Sequence, residues 1–374
     1  MRLYYAIASL FLIFIAGCQS NKKETLLENN SQSFYVGTYT DGDSKGIYKY
    51  SLSADGMLQK ISLAATSDNP SFLAKSANGK YLLAVNEISN KDTVGTVTSY
   101  LIEEDTLTFI NRSSSGGAHP CFVTTNNTDY VLAANYSGGN IGLLKLNKQG
   151  ALTPLLDLQQ HSGKGITARQ EGPHAHSTWF AAKGINIISV DLGTNELWFS
   201  QLDTLNKKLI PTEQHTLKMA PGDGPRHLAF HPNNKFIYVL NELNNTITLV
   251  EKDSTGHYKT GMSISMLPDN YIEKNKGADI HISSDGNFLY ASNRGHNSIV
   301  IYKVDETNGA LKFLAHEATR GDAPRNFSLS PDENYLLVAN QFTNNIISFK
   351  RDKATGLLQF VDAIDAPTPV CILF

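Results

Sequence analysis

The chain has 374 residues, of which 41% are hydrophobic and 9% aromatic. This composition provides enough apolar surface for a large folded core and excludes a disordered protein. The formal net charge is -3, so the chain lacks the basic balance of nucleic-acid-binding proteins and we expect no nucleic-acid partner.

The N-terminus has the pattern of a secretory signal peptide. Arg2 precedes an apolar run over residues 3–16, which is short for a membrane-spanning helix but suits the hydrophobic region of a signal. The run ends in the sequence IAGC, which resembles the bacterial lipobox, where the cysteine is lipidated and becomes the mature N-terminus. We therefore predict a lipoprotein signal peptide over residues 1–18, with lipidation at Cys18, and a flexible polar tether over residues 19–32. An uncleaved signal anchor is the alternative.

The rest of the chain repeats a unit made of a strand, a polar turn and a second strand. Its clearest copy is GPRHLAFHPNNKFIYVLNE, and near-copies are NPSFLAKSANGKYLLAVNE, HPCFVTTNNTDYVLAANY, GADIHISSDGNFLYASNR and APRNFSLSPDENYLLVANQ. The first residue of the shared skeleton recurs at seven anchors: Pro70, Pro120, Pro173, Pro225, Ala278, Pro324 and Pro369. A period of about fifty residues filled with short strands is typical of propeller blades. We predict an all-β, seven-bladed β-propeller.

The two ends of the repeat complete one blade. The last anchor leaves room for a single strand, whereas the folded region starts with three strands, FYVGTYT, GIYKYSL and LQKISLA, that have no anchor strand before them. Pairing the C-terminal strand with these three closes the ring and removes an open sheet edge. We predict one domain over residues 33–374 and a monomer. Cys121 and Cys371 then lie on apolar inner strands of non-adjacent blades, so we predict buried free thiols rather than a disulfide.

Blade topology predicts which residues meet at one mouth of the central channel. In an up-and-down blade, the start of inner strand A and the end of strand B lie on the same face. The residues just after the anchors are Ser71, Cys121, His174, Arg226, Asp279, Arg325 and Val370. The residues expected at the end of strand B are Thr38, Glu87, Tyr136, Asp191, Glu242, Arg294 and Gln341. Two long loops, roughly 157–172 and 267–277, lie on this face, where function is often found. We expect the asparagines that recur in strand B to satisfy backbone groups.

The charged residues of this mouth suit an anionic, oxygen-rich substrate. Arginines such as Arg226, Arg294 and Arg325 can bind a carboxylate or phosphate through two hydrogen bonds. A carboxylate or imidazole, such as Glu242 or His174, can activate water, and nearby cations can stabilise an oxyanion. A structural ion pair between Arg226 and Glu242 is the alternative.

Other polar residues carry weaker indications. His227 fits a structural role better than a catalytic one, and His281 lies in an alternating run that points it inward; both remain candidate substrate-binding residues with Asp279. The sequence has no phosphate-binding loop, no GxSxG motif and no zinc-ligand spacing, and the pair of histidines at 174 and 176 is a poor metal signal by itself. We expect neither a metal nor an organic cofactor.

The blocks GPRHLAFHP with VLNEL, GADIHISSDG with YASNR, and the C-terminal PTPVCILF resemble the propeller-type 6-phosphogluconolactonase family, also called the lactonase or cycloisomerase 2 family. The resemblance covers nearly the whole mature chain. It implies a seven-bladed propeller that hydrolyses 6-phospho-glucono-1,5-lactone to 6-phosphogluconate, the lactone step of the oxidative pentose phosphate route, without an organic cofactor.

The resemblance also implies a set of site residues. In the cyclase relatives a His, two Arg and a Glu form the site, and the matching positions here are His174 or His176, Arg226, Arg294 and Glu242. Glu242 or His174 would act as general base. Arg226 and Arg294 would bind the anion and stabilise negative charge on the lactone carbonyl, and Arg325 would assist binding.

The signal sequence and the implied activity point to different compartments. A phosphorylated sugar lactone is a cytoplasmic metabolite, whereas the lipobox predicts a protein anchored by lipid in the bacterial cell envelope. We therefore expect a small anionic sugar lactone as substrate, phosphorylated or not, and membrane contact only through the anchor. The alternatives are cytoplasmic residence, a muconate-cycloisomerase-like enzyme, and a non-catalytic envelope propeller that binds glycans or proteins.

Overall fold

The fold is built from β-strands. The computed structural model describes residues 31–88, 94–181 and 184–374. Within these ranges the chain forms 28 strands in seven antiparallel sheets of four strands each. No helix among the described residues is long and apolar enough to cross a membrane. Cys18, the rest of the predicted signal peptide and most of the predicted tether lie outside the described residues.

The strands follow one another blade by blade from the channel outwards. Blade 1 contains β1 (Gln32–Thr38), β2 (Gly46–Leu52) and β3 (Leu58–Thr66); blade 2 contains β4 (Leu73–Lys75), β5 (Tyr81–Asn86), β6 (Thr96–Ile102) and β7 (Leu107–Ser114); blade 3 contains β8 (Pro120–Thr125), β9 (Tyr130–Asn135), β10 (Asn140–Lys145) and β11 (Asp157–Gln160). Blade 4 contains β12 (Ala175–Phe180), β13 (Asn186–Asp191), β14 (Glu196–Asp203) and β15 (Lys208–Lys218).

The remaining three blades repeat this order. Blade 5 contains β16 (Pro225–Phe230), β17 (Phe236–Asn241), β18 (Thr246–Lys252) and β19 (Tyr258–Ser265); blade 6 contains β20 (Lys276–Ile282), β21 (Phe288–Arg294), β22 (Ser298–Val304) and β23 (Leu311–Ala318); blade 7 contains β24 (Pro324–Leu329), β25 (Tyr335–Asn340), β26 (Asn345–Arg351) and β27 (Leu358–Asp365). The last strand, β28 (Pro369–Leu373), returns to blade 1 as its inner strand.

The ring closes as the sequence predicts. Strand β28 pairs with β1, with Tyr35 opposite Leu373 and Val36 opposite Ile372. Ile372 is 5% exposed and belongs to an apolar cluster that also contains Phe34. Closure therefore buries apolar side chains and also satisfies the backbone edge of β1.

The hydrophobic core lies between the blades rather than at one centre. Strand β17 is buried at all six positions, whereas the outer strand β19 is largely exposed. Strands covered on both faces read as continuous apolar runs, which is why the middle strands of this chain alternate so little. One apolar cluster, for example, joins Tyr238 of blade 5 to Leu289 and Tyr302 of blade 6. The two cysteines, Cys121 and Cys371, are buried and free, as predicted.

The inner strands of blades 3, 4, 5 and 7 each begin with a β-bulge that turns one side chain towards the channel. In blade 5, Pro225 pairs with Asn241 and His227 with Leu240, which leaves Arg226 unpaired between them. A bulge re-aims the extra residue, and bulges are common beside functional sites. The equivalent unpaired residues in three other blades are Cys121, His176 and Arg325.

The predicted register is wrong in blade 4. Ala175, not Pro173, is the residue that pairs with the end of strand B, where its partner is Asp191. Pro173 lies in the preceding loop, where a residue without an N–H group is tolerated. His176 rather than His174 therefore holds the bulged position, and Asp191 occupies the place of the recurring asparagine instead of following it.

Shifts of one residue occur in blades 6 and 1. In blade 6 the anchor is Gly277, which pairs with Asn293, so Asp279 lies one residue deeper in the channel than predicted. In blade 1, Thr38 pairs with the last anchor and takes the asparagine position, which makes Tyr39 the mouth residue. Blade 6 lacks the anchor proline, and blade 1 lacks the strand B asparagine; these residues mark the register in other blades. In blades 6 and 1 the position of the β-bulge determines the strand register instead.

The recurring asparagines tie strand B to the loop that precedes strand A. The side-chain amides of Asn86, Asn135, Asn293 and Asn340 donate hydrogen bonds of 2.7 to 2.9 Å to the carbonyl groups of Asp68, Ser115, Met266 and Thr319. Asn241 differs, because it donates to the hydroxyls of Thr246 and Thr248, both at 2.9 Å. The prediction that these residues satisfy backbone groups is confirmed for the first four.

Ring closure predicts a large effect of truncating Ile372. We expect Ile372→Ala to lower the free energy of unfolding by about 2–5 kcal/mol, because it leaves a cavity where the two chain ends meet. Urea unfolding followed by circular dichroism measures this change. Leu357→Ala, in a surface turn where the side chain is 44% exposed, is the control and should cost less than about 0.5 kcal/mol. Equal effects of the two substitutions would contradict the closure.

Candidate active site

One residue per blade follows the end of strand B and forms a ring at the mouth of the channel. With the corrected register, these mouth residues are Tyr39, Glu87, Tyr136, Leu192, Glu242, Arg294 and Gln341. Backbone hydrogen bonds fix their positions: the N–H of Glu242 donates to the carbonyl of Gly224 at 2.7 Å, and the N–H of Gln341 donates to that of Ala323 at 3.0 Å. The bulged residues of strand A lie directly beneath this ring.

Glu242 is the centre of an arginine cluster. Its Oε2 lies 3.1 Å from Nε of Arg226 and 3.0 Å from Nη2 of Arg294, and its Oε1 lies 3.7 Å from Nη2 of Arg169. Glu242 and Arg226 are only 4% and 2% exposed. Arg226 also donates through Nη1 to the carbonyl of Ala278, and Arg294 donates through Nη2 to that of Gly277 at 3.0 Å. The cluster is therefore held in place on both sides.

The charges of this cluster are strongly coupled. Burial by itself raises the pKa of Glu242, but Arg294 and Arg226, with smaller contributions from Arg325 and Arg169, lower it to about 2. Burial lowers the pKa of Arg294 to about 9, although Glu242 opposes the shift. At neutral pH the carboxylate is thus ionised and engaged by the cations around it.

Arg325 belongs to a second hydrogen-bonded group across the channel. Its Nη2 donates to the phenol oxygen of Tyr39 at 2.9 Å, and the phenol in turn donates to Oε2 of Glu87 at 2.8 Å. Ser71 donates to the same carboxylate oxygen. Burial lowers the pKa of Arg325, but Tyr39 and Glu87 outweigh it, and the net pKa is raised. Arg325 is held as a cation that faces the first cluster.

A small cavity separates the two groups. It is lined by Glu87 and Arg325 on one side and by Arg226 on the other, with His227 and Cys121 below, and it has a volume of about 10 Å³. That volume holds roughly one water molecule. A sugar-sized ligand must therefore sit above it, in the open mouth.

His174 lies at the rim above the arginine cluster. Its ring stacks on Tyr136, with centroids 4.5 Å apart and an interplanar angle of 9°. Its Nδ1 lies 3.1 Å from the carbonyl oxygen of Tyr136, so this nitrogen carries the proton and donates. Nε2 lies 3.4 Å from Oε1 of the exposed Glu171. The side chain of His174 keeps 14% of its surface accessible.

His176 sits below the rim in a dry environment. It is 4% exposed, and its Nδ1 lies 3.8 Å from Sγ of Cys121. Burial, followed by the field of Arg226, lowers the pKa of His176 well below its ordinary value. The imidazole is therefore neutral at physiological pH. Burial also raises the pKa of the Cys121 thiol, which is consequently protonated.

Asp279, His227 and His281 form a network deeper in the channel. Asp279 accepts from Nδ1 of His227 at 2.8 Å and from the amide of Asn326 at 2.6 Å, and it lies 3.1 Å from Nε2 of His281. Burial lowers the pKa of His227 to about 4. Burial also opposes the charged form of His281, but Asp279 outweighs it and raises the pKa. These three residues join blades 5, 6 and 7 beneath the mouth, and the geometry favours a supporting role for them; substrate contact stays a prediction.

The structure brings together only part of the predicted site. Glu242, Arg226 and Arg294 make direct contacts, Arg325 faces them across the small cavity, and His174 lies at the rim. His176 approaches from below. Arg169, Tyr39 and Glu87 were absent from the predicted site residues. Tyr39 was missed because the register of blade 1 differs by one residue from the prediction. Glu87 appeared in the predicted ring, and the pair Asn86-Glu87 repeats the pair Asn241-Glu242.

Arg169 reaches the site on the first long loop. This loop spans residues 161–174 rather than starting at 157, because Asp157–Gln160 forms β11. A buried pair anchors it: Nδ1 of His161 lies 2.7 Å from Oδ2 of Asp191, and neither side chain is exposed. The other oxygen of Asp191 accepts from the N–H of His174 at 2.8 Å. One carboxylate thus positions both ends of the loop that carries Arg169 and His174.

The described residues contain no group of three or more His, Cys, Asp and Glu side chains arranged to hold a metal ion. What they do contain is a mouth that presents four arginines against two buried or half-buried carboxylates, with an imidazole at its rim. This arrangement can bind an anion and stabilise negative charge on an oxygen.

Comparison with known proteins identifies the family. Residues 33–374 match the family described as lactonase, 7-bladed beta-propeller. The chain belongs to this lactonase family. The 6-phosphogluconolactonase of Bacillus subtilis is 36% identical over 298 residues, which is 78% of this chain and 83% of the relative. That of Formosa agariphila is 36% identical over 307 residues, 79% and 85% of the two chains.

Solved structures of lactonase relatives superimpose closely. The periplasmic gluconolactonase of Pseudomonas aeruginosa is 28% identical in sequence and superimposes with a TM-score of 0.87. The superposition covers 91% of this chain and 98% of the other. The family membership and the seven-bladed fold expected from the sequence are both confirmed.

The low pKa of Glu242 makes a contribution to stability that depends on pH. Because the pKa in the folded chain lies below the ordinary 4.5, ionised Glu242 stabilises the fold above about pH 4.5, and this stabilisation is lost as the pH falls towards 2. We expect Glu242→Gln to lower the free energy of unfolding by on the order of 3 kcal/mol at pH 7 and by much less near pH 2.

Urea unfolding of both proteins at several pH values measures this difference. The control is Glu251→Gln, because Glu251 forms an exposed salt bridge of 3.5 Å with Lys259 and should contribute at most about 1 kcal/mol at any pH. A difference between the wild type and Glu242→Gln that stays constant from pH 7 to pH 2.5 would show that the arginines do not depress this pKa.

Proposed function

We propose that the protein hydrolyses a lactone of an acidic sugar, with 6-phospho-glucono-1,5-lactone as the favoured candidate and its product 6-phosphogluconate. The observation that carries this proposal is the convergence of Arg226, Arg294 and Arg169 on Glu242 at the open mouth, with Arg325 opposite. Four guanidinium groups against the carboxylates of Glu242 and Glu87 leave a positive excess that suits an anionic substrate. The names of the Bacillus and Pseudomonas relatives support lactone chemistry.

The reaction needs a nucleophilic water and a place for negative charge. Water adds to the lactone carbonyl carbon and gives a tetrahedral oxyanion, and the ring C–O bond then breaks as a proton reaches the departing oxygen. Arg294 and Arg226 lie where they can donate to that oxyanion. Donors of this kind are typically worth about 3 kcal/mol in the transition state.

We assign the general base to His174 rather than to Glu242. A carboxylate with a pKa of about 2 is a weak base, and arginines already engage both of its oxygens. His176 is buried, and its Nδ1 faces Cys121. His174, by contrast, lies at the accessible rim, and in the neutral tautomer in which Nδ1 donates to the carbonyl of Tyr136 the lone pair is on Nε2, beside the exposed carboxylate of Glu171. Glu242 then acts by orienting Arg226 and Arg294.

Arg325 and Arg169 complete the proposed anion site. Tyr39 holds the guanidinium of Arg325 at 2.9 Å, and the phenol of Tyr136 accepts from Nη2 of Arg169 at 2.7 Å. Because planar guanidinium groups bind carboxylate and phosphate through two hydrogen bonds, these residues suit the acid group of the substrate. No organic cofactor or metal is required for this chemistry.

We also propose the cellular setting indicated by the N-terminal sequence. Residues 1–18 act as a lipoprotein signal peptide, residues 19–32 as a tether and residues 33–374 as a monomeric catalytic domain. The periplasmic gluconolactonase among the relatives supports an extracytoplasmic lactonase. The substrate at that location need not be phosphorylated.

The proposed function predicts that His174→Ala lowers kcat for lactone hydrolysis by about 10²–10⁴, the usual contribution of a general base. The assay follows acid release from phosphorylated and unphosphorylated gluconolactone, with the spontaneous rate subtracted. His257→Ala is the control, since His257 is exposed in the turn before β19.

Two results would count against this assignment. Full activity of folded His174→Ala would exclude His174 as the base. A wild-type protein that accelerates no lactone would exclude the lactonase proposal and favour the non-catalytic binding propeller.

The signal-peptide proposal predicts that Cys18→Ala removes the protein from the membrane fraction. Without the cysteine there is no site for lipid attachment, and one or more acyl chains supply the membrane affinity. Fractionation of cells expressing the two forms, with mass spectrometry of the mature N-terminus, tests this. Equal membrane association of both forms would contradict lipidation at Cys18.

A further inference from the structure

A groove runs outwards from the arginine cluster between blades 6 and 7. Its volume is about 430 Å³, which falls within the range of small-molecule sites, about 300–1,000 Å³. One wall is the second long loop, at Lys274–Lys276, and the other is formed by Ala323 and the turn after β25, at Gln341 and Phe342. Arg294 lies at its inner end.

The groove is continuous with the proposed catalytic mouth. Arg294 lines the groove and also lies 3.0 Å from Oε2 of Glu242. Gln341, the neighbouring member of the mouth ring, lines it as well. The cavity between the two arginine groups holds only about 10 Å³, so a lactone ring bound at the mouth cannot extend inwards. A substituent on that ring extends outwards, and the groove is a path that begins at Arg294.

Phe342 gives the groove an aromatic wall. It is 66% exposed, although its counterpart in blade 5, Leu243, packs on Gly224, and its counterpart in blade 6 is Gly295. A phenyl ring left uncovered beside a cationic cleft offers a flat apolar surface to the C–H face of a sugar ring. Isolated exposed apolar residues are common; this one differs because it lines a groove that leads to the proposed site.

The opposite wall carries positive charge. Lys274 and Lys276 both line the groove, and across the described part of the chain neither ammonium group lies within 4 Å of a carboxylate. The carboxylate of Asp322 also lines the groove, and it accepts from the amide of Asn297 at 2.9 Å. The groove thus carries Lys274, Lys276 and Arg294 against the single carboxylate of Asp322, a positive excess that suits a ligand with an acid group.

The wall between the lysines is fixed before any ligand binds. The amide nitrogen of Asn275 donates to Asn245 at 2.8 Å and to Asn293 at 3.0 Å. Its oxygen accepts from the N–H of His296 at 3.0 Å. The lysines thus extend from a loop that three neighbouring segments hold in place, which reduces the cost of ordering the site.

We propose that this groove is a subsite for a second, acidic sugar ring, and that the substrate class includes lactones of aldonic acids that carry a uronic acid unit. The lactone ring occupies the arginine mouth, the second ring lies against Phe342, and its carboxylate meets Lys274 and Lys276. This inference rests on the proposed lactone chemistry for the position of the first ring.

Titration calorimetry with three hydrolysed acids tests the groove without requiring turnover. The probes are gluconate, cellobionate, which adds a neutral second ring, and glucuronosyl-gluconate, which adds an acidic one. We expect affinity to rise at least tenfold from gluconate to glucuronosyl-gluconate. Phe342→Ala should weaken both disaccharide acids about tenfold, and the double variant Lys274→Gln/Lys276→Gln should weaken only the acidic one. Phe313→Ala, at an exposed position on β23, is the matched control and should change nothing.

Equal affinity for all three acids, or Phe342→Ala binding like Phe313→Ala, would overturn the subsite. A loss of cellobionate binding in the lysine variant as large as that of glucuronosyl-gluconate would overturn its acidic character. Lactone hydrolysis is measured in parallel, so the two proposals fail separately: hydrolysis of gluconolactone with no preference among the acids removes the groove alone, whereas tight binding of the acids without hydrolysis of any lactone removes the catalytic proposal.

Discussion

The closed ring of seven blades forces side chains from different blades to share one narrow mouth, and the carboxylate of Glu242 is what makes that arrangement possible. Arg226 is almost entirely buried and the side chain of Arg294 is 13% exposed, and Arg169 and Arg325 add to the same field. Burying a charge is costly unless it is paired and hydrogen-bonded. Glu242, with backbone carbonyls of blade 6, compensates the arginines, and the exposed part of Arg294 remains accessible at the mouth. Folding and the proposed anion binding therefore depend on the same carboxylate.

A repeated architecture separates the scaffold from the chemistry. The anchors, bulges and strand B asparagines are nearly the same in blades 3, 5 and 7, and they determine the position of the mouth residue. The residue at the mouth position differs between blades: Tyr39 and Glu87 lie on one side, and Glu242 and Arg294 lie on the other. Because the scaffold fixes each backbone position, different residue types occupy the mouth position in different blades. This explains why the mouth is asymmetric although the ring is close to symmetric.

Sequence patterns predicted the scaffold better than the site. The fifty-residue period and the incomplete first and last repeats were enough for seven blades and their closure, because strand pairing is encoded in patterns that recur. Arg226 and Glu242 were found for the same reason, since a proline and an asparagine mark their register. In blade 1 the sequence pattern predicts Thr38 instead of Tyr39 as the mouth residue, because a threonine occupies the asparagine position.

Loops were the other source of error. Pro173 resembles an anchor but lies in a loop, so His174 was placed on a strand, whereas it occupies the rim just before β12. Arg169 had no signal except the length of its loop, and its contact with Glu242 depends on the buried pair of His161 and Asp191. Neither the pair nor the contact follows from a periodic pattern. Residues brought in by loops could therefore be expected near the mouth, but not placed.

The same electric field underlies both parts of the proposed function, the binding of an acid and the choice of base. Positive charge from the arginines lowers the pKa of Glu242 and, together with burial, that of His176. It therefore weakens the carboxylate as a base, while it attracts an acidic substrate. A base suited to this mouth should be one whose lone pair is oriented without direct contact with the arginines, and the donation from Nδ1 of His174 to the carbonyl of Tyr136 meets that condition. The division of labour proposed for Glu242 and His174 follows from electrostatics, since a site that concentrates arginines for binding favours a base at the rim of the cluster.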